Sequence, residues 1–181
     1  MRYKIIAVWD CIRYDIPRFM KNIWTFRKGL WNFRWYDPHG VYVLNNVALT
    51  TMADNVELYG IEVDSSRLKK VASMRKAAQL YQNFVESNFI DQAEAELGEL
   101  IMNPFEWEPS PEHDDYMQMV DKDTPEEKAH NKAVFDRARE IEEEQWDELH
   151  KLLKGQDYTK FKKKKSFDEQ CDGSGLRSWW D

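Results

Sequence analysis

The segment DTPEEKAHNKAVFDRAREIEEEQWDELHKLLKG, residues 123–155, carries the clearest structural pattern in the chain. Thr124 and Glu127 are spaced as a capping box, in which each side chain accepts a hydrogen bond from the other residue's backbone N–H. Pro125 suits a first helical turn, because the N–H that proline lacks would have no partner there. The segment therefore predicts one long helix that ends before Gly155. Its apolar side consists of Ala138, Ile141, Leu149 and Leu152.

Three more segments have the apolar spacing of helices. They cover residues 16–35, about 38–59 and about 65–86, and a shorter helical pattern follows at 89–101. Tyr3 to Trp9 is the one stretch that could form a strand, and a single strand makes no sheet. The pattern predicts an all-α helical bundle of about four main helices.

Two segments lack any such period. Between residues 102 and 123, prolines and many acidic residues predict a long, exposed acidic loop. From residue 156 onward the chain is polar, basic and glycine-containing, which predicts an extended tail. The expected organisation is thus a helical domain at 1–155 and a tail at 156–181.

The composition is that of a chain that can bury a core, since 42% of its 181 residues are hydrophobic and 14% are aromatic. No run of about 18 apolar residues occurs, so the sequence predicts no membrane-spanning helix. Two cysteines are too few for a disulfide framework, which favours an intracellular protein with free thiols.

The formal net charge of −7 is unevenly distributed along the chain. Residues 1–85 contain 13 basic and 7 acidic side chains. Residues 86–154 contain 7 basic and 21 acidic side chains, and residues 155–181 contain 6 basic and 5 acidic ones. A negative total disfavours general attraction to nucleic acid. The basic first part can instead attract the acidic middle part, either in one fold or between two copies.

Residues 22–37, NIWTFRKGLWNFRWYD, interleave aromatic and basic side chains. Helical spacing places the apolar residues mostly on one side, so we expect this helix to pack in the core. One alternative is a surface for another protein or for self-association. The other is contact with nucleic acid or anionic lipid, with bases stacking on the aromatic rings in the nucleic-acid case. A polyanion would then meet a basic row that consists of Arg18, Lys21, Arg27, Lys28 and Arg34.

Two pairs of carboxylates, Glu96 with Glu99 and Glu112 with Asp115, resemble the pairs with which all-α nucleotide pyrophosphohydrolases hold Mg²⁺. The second pair lies among prolines that leave it without a helical frame, and 33 acidic residues produce such a match easily by chance. No HExxH, CxxC, Walker or GxSxG motif occurs. We therefore predict no catalytic residue, metal site or cofactor, and keep Mg²⁺-dependent hydrolysis as an alternative.

The chain ends in DGSGLRSWWD, which places Leu176, Trp179 and Trp180 after a flexible Gly-Ser-Gly turn. A free tail with two tryptophans would expose apolar area that soluble proteins usually hide. Either the tail folds back into a groove of its own bundle, or it inserts into a partner. In the second case these three side chains are the predicted partner-binding anchors.

Four segments, IWTFRKGLWNFRWYD, DTPEEKAHN, LLKGQDYTKF and DGSGLRSWWD, resemble a family of small uncharacterised proteins encoded by tailed bacteriophages. The resemblance implies a phage origin and synthesis in the cytoplasm of the infected bacterium. It carries over no catalytic residue, cofactor or substrate.

The expected function is accordingly that of a phage accessory protein that binds a host or phage protein, or itself as a homo-oligomer. Binding to nucleic acid through the basic row is an alternative. We do not expect the protein to bind a membrane.

Overall fold

The computed structural model describes residues 9–104, 106–109, 116–120 and 122–179, and these are mostly helical. A π-helical turn at Cys11–Asp15 leads into the helix Ile16–Asn32, and a two-stranded antiparallel hairpin separates the helices Phe89–Leu97 and Pro125–Lys154. The predicted helical bundle is thereby confirmed as a class. The predicted strand lies outside the described residues except for Trp9, which is helical. The elements are α1 Ile16–Asn32, α2 His39–Tyr59, α3 Asp64–Glu86, α4 Phe89–Leu97, β1 Glu106–Pro109, β2 Met117–Val120, α5 Pro125–Lys154 and α6 Phe167–Gln170.

The chain divides into two compact units. The first combines Met1–Glu86 with Asp147–Asp181, and the second is Ser87–Trp146. The second unit begins at Ser87, which has a φ of 52° and separates α3 from α4. α5 contributes its first part to the second unit and its last residues to the first.

The core of the first unit is built on the pairing of α2 with α3. Apolar residues at helical spacing on α3 become fully buried, among them Met74 and Leu80, and Leu49 on α2 is buried as well. Asn46 Nδ2 donates to the Ala78 carbonyl at 2.8 Å, which satisfies a polar group at this contact.

The segment after α5 packs onto α3 instead of remaining an extended tail. Lys69 Nζ donates to the carbonyls of Asp168 at 2.5 Å and Cys171 at 2.9 Å. Gly173, with a φ of +81°, lies so close to the Lys69 backbone that a Cβ there would be 2.3 Å from the Lys69 carbonyl carbon. We call this arrangement the C-terminal clasp (residues 168–179).

The clasp ends in the most deeply buried aromatic ring of the first unit. Trp179 is 1% exposed, and its Nε1 donates to the Gly173 carbonyl at 2.7 Å. Short helical turns at Tyr158–Lys160 and Leu176–Ser178, together with α6, replace the irregular structure that the sequence predicted. Local caps hold the first turns, since the side chain of Asp157 accepts from Thr159 N and that of Ser166 accepts from Glu169 N. Polar contacts with α3 hold the backbone at residues 168–172.

In the second unit, α4 and the first part of α5 share a small core of Phe89, Ala93, Val134, Ala138 and Ile141. The predicted capping box is confirmed: Thr124 N donates to Glu127 Oε2 at 2.7 Å, and Glu127 N donates to Thr124 Oγ1 at 3.2 Å. α4 ends at Leu97, four residues earlier than the apolar pattern suggested, with Gly98 N donating to the Glu94 carbonyl.

The acidic loop predicted at 102–123 is partly regular. β1 pairs with β2, so that Trp107 lies opposite Met119 and Pro109 opposite Met117. Glu112 and Asp115 lie in the connection, outside the described residues. Polar and apolar residues alternate in Glu-Trp-Glu-Pro and in Met-Gln-Met, which is the period of a strand.

We expect Trp179→Ala to destabilise the first unit by about 3–5 kcal/mol, because it removes a large ring from a filled site. Urea unfolding followed by far-ultraviolet circular dichroism measures the change. Leu176→Ala is the matched control, because Leu176 is 49% exposed and should cost little. Equal unfolding midpoints for wild type and Trp179→Ala would contradict a structural role for the clasp.

Candidate functional site

α1 presents its apolar side to solvent. Within Ile16–Asn32, Gly29 is the buried residue, whereas Trp24 is 68% and Trp31 85% exposed. The expectation that this helix packs in the core is therefore wrong. We call its uncovered apolar face the aromatic stripe; it consists of Ile16, Phe19, Met20, Ile23, Trp24, Leu30 and Trp31, all exposed.

The way α1 is attached explains why this face is free. Its contact with α2 is made on the side of Thr25, Phe26 and Gly29, which are half-buried or buried. A Cβ on Gly29 would lie 2.8 Å from Leu44 Cδ2 and 3.3 Å from Val43 Cγ1, so glycine allows a close approach of the two helices. The larger apolar residues project from the remaining surface of α1.

The aromatic stripe is long and broad. Ile16 and Trp31 are fifteen residues apart, which is about 22 Å along a helix axis. At 100° per residue, the stripe covers roughly 140° of the helix circumference. The exposed rings of Trp35 and Tyr36 follow directly after α1. Contiguous apolar surface of this kind usually marks an interaction site.

Three members of the predicted basic row flank or cross the stripe. Lys21 and Lys28 are two turns apart on one flank of α1, and both are exposed. Arg27 lies among the apolar residues, with its guanidinium carbon 4.0 Å from the centre of the Trp24 ring. It also donates to the Trp24 carbonyl. Arg27 thus covers one face of Trp24 and places a positive charge within the apolar surface.

The other two members are engaged with their own neighbourhood. Arg18 pairs with Asp15 at 2.7 Å. Arg34 Nη1 donates to the Phe33 carbonyl at 3.1 Å. The structure therefore brings Lys21, Arg27 and Lys28 together beside the stripe, and it places Arg18 and Arg34 toward the two ends of α1.

The predicted anchors of the tail are not brought together on one exposed face. Trp179 is buried in the C-terminal clasp, Leu176 is half exposed, and Trp180 lies outside the described residues. Burial of Trp179 corresponds to the alternative in which the tail folds back on its own bundle. Binding of a partner by these residues stays a prediction.

The carboxylates considered for Mg²⁺ do not form a common site among the described residues. Glu96 Oε2 accepts a hydrogen bond from Arg137 Nε at 2.7 Å, and this bond lowers the pKa of the Glu96 carboxyl. Arg137 also contacts Glu140 and Glu144, and its hydrogen bonds, first to Glu96 and then to these two acids, raise its own pKa. Glu96 therefore belongs to an ion-pair network of the second unit.

The neighbouring Glu99 contributes its backbone to the fold of the second unit. Its carbonyl lies 3.0 Å from His130 Nε2. Its partners in the proposed motif, Glu112 and Asp115, lie outside the described residues.

The hairpin is a second exposed apolar surface, which sequence reasoning missed. Trp107, Met117 and Met119 are each more than half exposed, and with Pro109 they share one side of the two strands. We call these four residues the hairpin face. The alternation of Glu-Trp-Glu-Pro with Met-Gln-Met could have indicated it, but each strand is only four residues long.

Within the described ranges, no helix has both the length and the apolar character that crossing a lipid bilayer requires. The described residues also bring together no group of three or more His, Cys, Asp or Glu side chains that could hold a metal ion. Comparison of the chain with protein-family models, curated proteins and solved structures finds no match.

We expect Gly29→Leu to detach α1 from α2, because Leu44 and Val43 leave no room for a larger side chain. Hydrogen exchange of the α1 amides and tryptic cleavage after Lys21 should both become faster. Lys28→Leu adds the same side chain at an exposed neighbouring position and is the matched control. Unchanged exchange in Gly29→Leu would show that this contact does not hold α1.

We expect Arg137→Met to raise the pKa of Glu96 toward the ordinary glutamate value of about 4.3. Because the folded-state pKa is depressed, this pair stabilises the fold above the unfolded-state pKa and stops doing so as pH falls through the folded-state value. A nuclear magnetic resonance titration of the carboxyl carbon measures the shift. Lys132→Met, which removes an exposed partner of Asp136, should leave Glu96 unchanged.

Proposed function

We propose that this protein acts by binding protein through the aromatic stripe of α1. The observation that carries the proposal is the exposure of the stripe: seven large apolar side chains on one helix lie uncovered while a glycine of the same helix is buried. Burying one such side chain gives about 1.5–3 kcal/mol, so a partner that covers several of them gains substantial free energy.

The composition of the stripe favours a protein partner. Tryptophan and arginine dominate the residues that contribute most to protein interfaces, and Trp24, Arg27 and Trp31 are neighbours here. The aliphatic members, Ile23 and Leu30 among them, suit an apolar protein surface and offer nothing on which a base can stack.

The resemblance of the sequence to tailed-bacteriophage proteins supports a role as a phage accessory protein in the cytoplasm of the infected bacterium. The partner is then a host protein, a phage protein or a second copy of the chain. Binding, and not catalysis, is the proposed activity, since Glu96 of the alternative hydrolase motif is already bound by Arg137.

Binding of single-stranded nucleic acid is the second candidate function. The observation that favours it is the exposure of Trp24 and Trp31 beside Lys21 and Lys28, because base stacking needs aromatic faces next to positive charge. The overall charge of −7 opposes it. This candidate predicts affinity that falls steeply with salt, as phosphate contacts require.

Photo-crosslinking in infected cells tests the proposal. A benzophenone amino acid at position 31 should give crosslinks to protein, because Trp31 is the most exposed ring of the stripe. The same group at Glu143, which is exposed on the acidic side of α5, is the matched control and should give few. Crosslinks from position 31 to nucleic acid alone would favour the second candidate, and equal yields at both positions would overturn the proposal.

Two variants of the crosslinking protein separate the two candidates. Ile23→Glu should lower the yield from position 31 at least about tenfold, because it places a charge in the centre of an apolar contact. Lys21→Gln with Lys28→Gln should lower it less than about threefold, since charges at the rim of a protein interface contribute little to affinity. The opposite ranking is the result expected of a nucleic-acid surface.

A further inference from the structure

We propose, on the basis of the proposed function, that the partner of the aromatic stripe is a second copy of this chain, whose hairpin face docks on the stripe. The contact is heterologous: α1 of one copy meets β1 and β2 of the next. Three observations support this pairing, namely an uncovered apolar face on each side among the described residues, opposite net charge of α1 and the second unit, and compatible size.

The hairpin face needs a partner as much as the stripe does. Of the eight residues in β1 and β2, seven are exposed and Val120 is half-buried. An isolated two-stranded hairpin is marginal in water and usually gains its stability from packing against another element. The apolar side of this one, with Trp107 directly opposite Met119, has no such element over it among the described residues.

The stripe and the unit that carries the hairpin face have opposite charge. Residues 16–36 contain five basic side chains and no acidic one, whereas residues 87–146 contain 18 acidic and 5 basic side chains. Glu106 and Glu108 alternate with the apolar residues of β1 and lie on the other side of the strands, so this attraction acts at long range. Complementary potentials of this kind speed the encounter of two surfaces and fix which surface meets which.

The dimensions of the two surfaces agree. A strand of four residues is about 13 Å long, so the hairpin face covers rather more than half of the stripe of about 22 Å. Met117 and Met119 suit this role, because the flexible thioether side chain adapts to aromatic rings such as Trp24 and Trp31 and makes favourable sulfur–aromatic contacts.

Pairing of α1 with α1 of a second copy fits the charges less well. In an antiparallel pair of identical helices, the same flank of each helix comes together. Lys21 and Lys28 of the two copies would then lie side by side, and like charges at close range oppose association. Such a pair would tighten as salt rises, whereas the contact of stripe and hairpin face should weaken.

A heterologous contact leaves one stripe and one hairpin face unused at the ends of every complex. Further copies therefore add until a ring closes, or else an open chain grows. A copy that has lost one surface still binds through the other. Two variants that each lack a different surface should therefore form a complex when mixed, and its mass can be measured.

The test mixes two variants of the full chain. The stripe variant carries Trp24→Gln and Trp31→Gln, and glutamine keeps good helix propensity. The hairpin variant carries Trp107→Thr and Met119→Thr, because a cross-strand threonine pair preserves the strands while removing the apolar surface. Circular dichroism checks that both remain folded, and light scattering across a dilution and salt series gives their masses.

The expected result is a wild type whose mass rises with concentration and falls with salt. Each variant alone should associate at least about tenfold more weakly than wild type. An equimolar mixture should form a complex that stops at two chains, since one intact stripe meets one intact hairpin face.

Other results overturn the inference. If the hairpin variant alone associates as the wild type does, the helices pair with each other, and the proposed function survives while this inference fails. A wild type that is monomeric at every concentration also overturns it, and the crosslinking experiment at position 31 then decides the proposed function separately. Wild-type association in both variants means that neither surface is the contact.

Discussion

The close contact of Gly29 with Leu44 decides what the first unit shows to its surroundings. A helix with apolar residues over more than a third of its circumference would be expected to turn them inward. Here the side that contacts α2 lies roughly opposite the stripe, and the missing side chain of Gly29 allows the close approach of the two helices there. The helix is held by its small residues, and its aromatic residues remain outside.

This arrangement leaves α1 short of the stabilisation that helices normally receive. Helical stability in proteins comes mostly from packing of an amphipathic face, with intrinsic propensity a minor part. α1 packs only a narrow side, and most of its apolar surface contacts water. A partner on the stripe would supply the missing packing. The aromatic residues of the first unit thus differ in burial. Trp179, near the C-terminus, is buried by its own chain, whereas Trp24 and Trp31 on α1 are exposed.

The clasp shows how this difference arises. Lys69 uses its amino group on two backbone carbonyls of the segment, and Ser73 donates to a third at Asp172. These bonds fix the backbone near Gly173, so that the Trp179 ring can fill its site and donate to Gly173. Because the buried ring is already paired, the exposed apolar surface on α1 is the better candidate for an outside partner.

Local patterns predicted most of the helices, since capping and apolar spacing act within a few residues. The capping box at Thr124 and the apolar spacing of residues 65–86 are examples in which a short range of sequence contains the whole cause. The clasp could not be predicted in this way, because Lys69 and Asp168 are 99 residues apart and nothing local couples them. For α1, the spacing indicated which residues share a face. Whether that face is covered depends on which side of α1 packs against α2, and the local sequence does not contain this information. The hairpin was missed because two strands of four residues are too short for their alternation to stand out among prolines and acids.

The distribution of charge between the two units gives a direction to any assembly. The second unit, residues 87–146, has 5 basic and 18 acidic side chains, a charge of −13, and the remainder of the chain carries +6. Its own cations are too few to neutralise it: Arg137, for instance, is shared among Glu96, Glu140 and Glu144. When two copies meet through the same surface, groups of like charge face each other across the contact and repel. A contact between different surfaces sets the positive unit of one copy against the negative unit of the next, and each added copy repeats the gain. In the proposed contact the positive helix α1 is the surface that meets the acid of the next copy, and each copy keeps a net charge of −7.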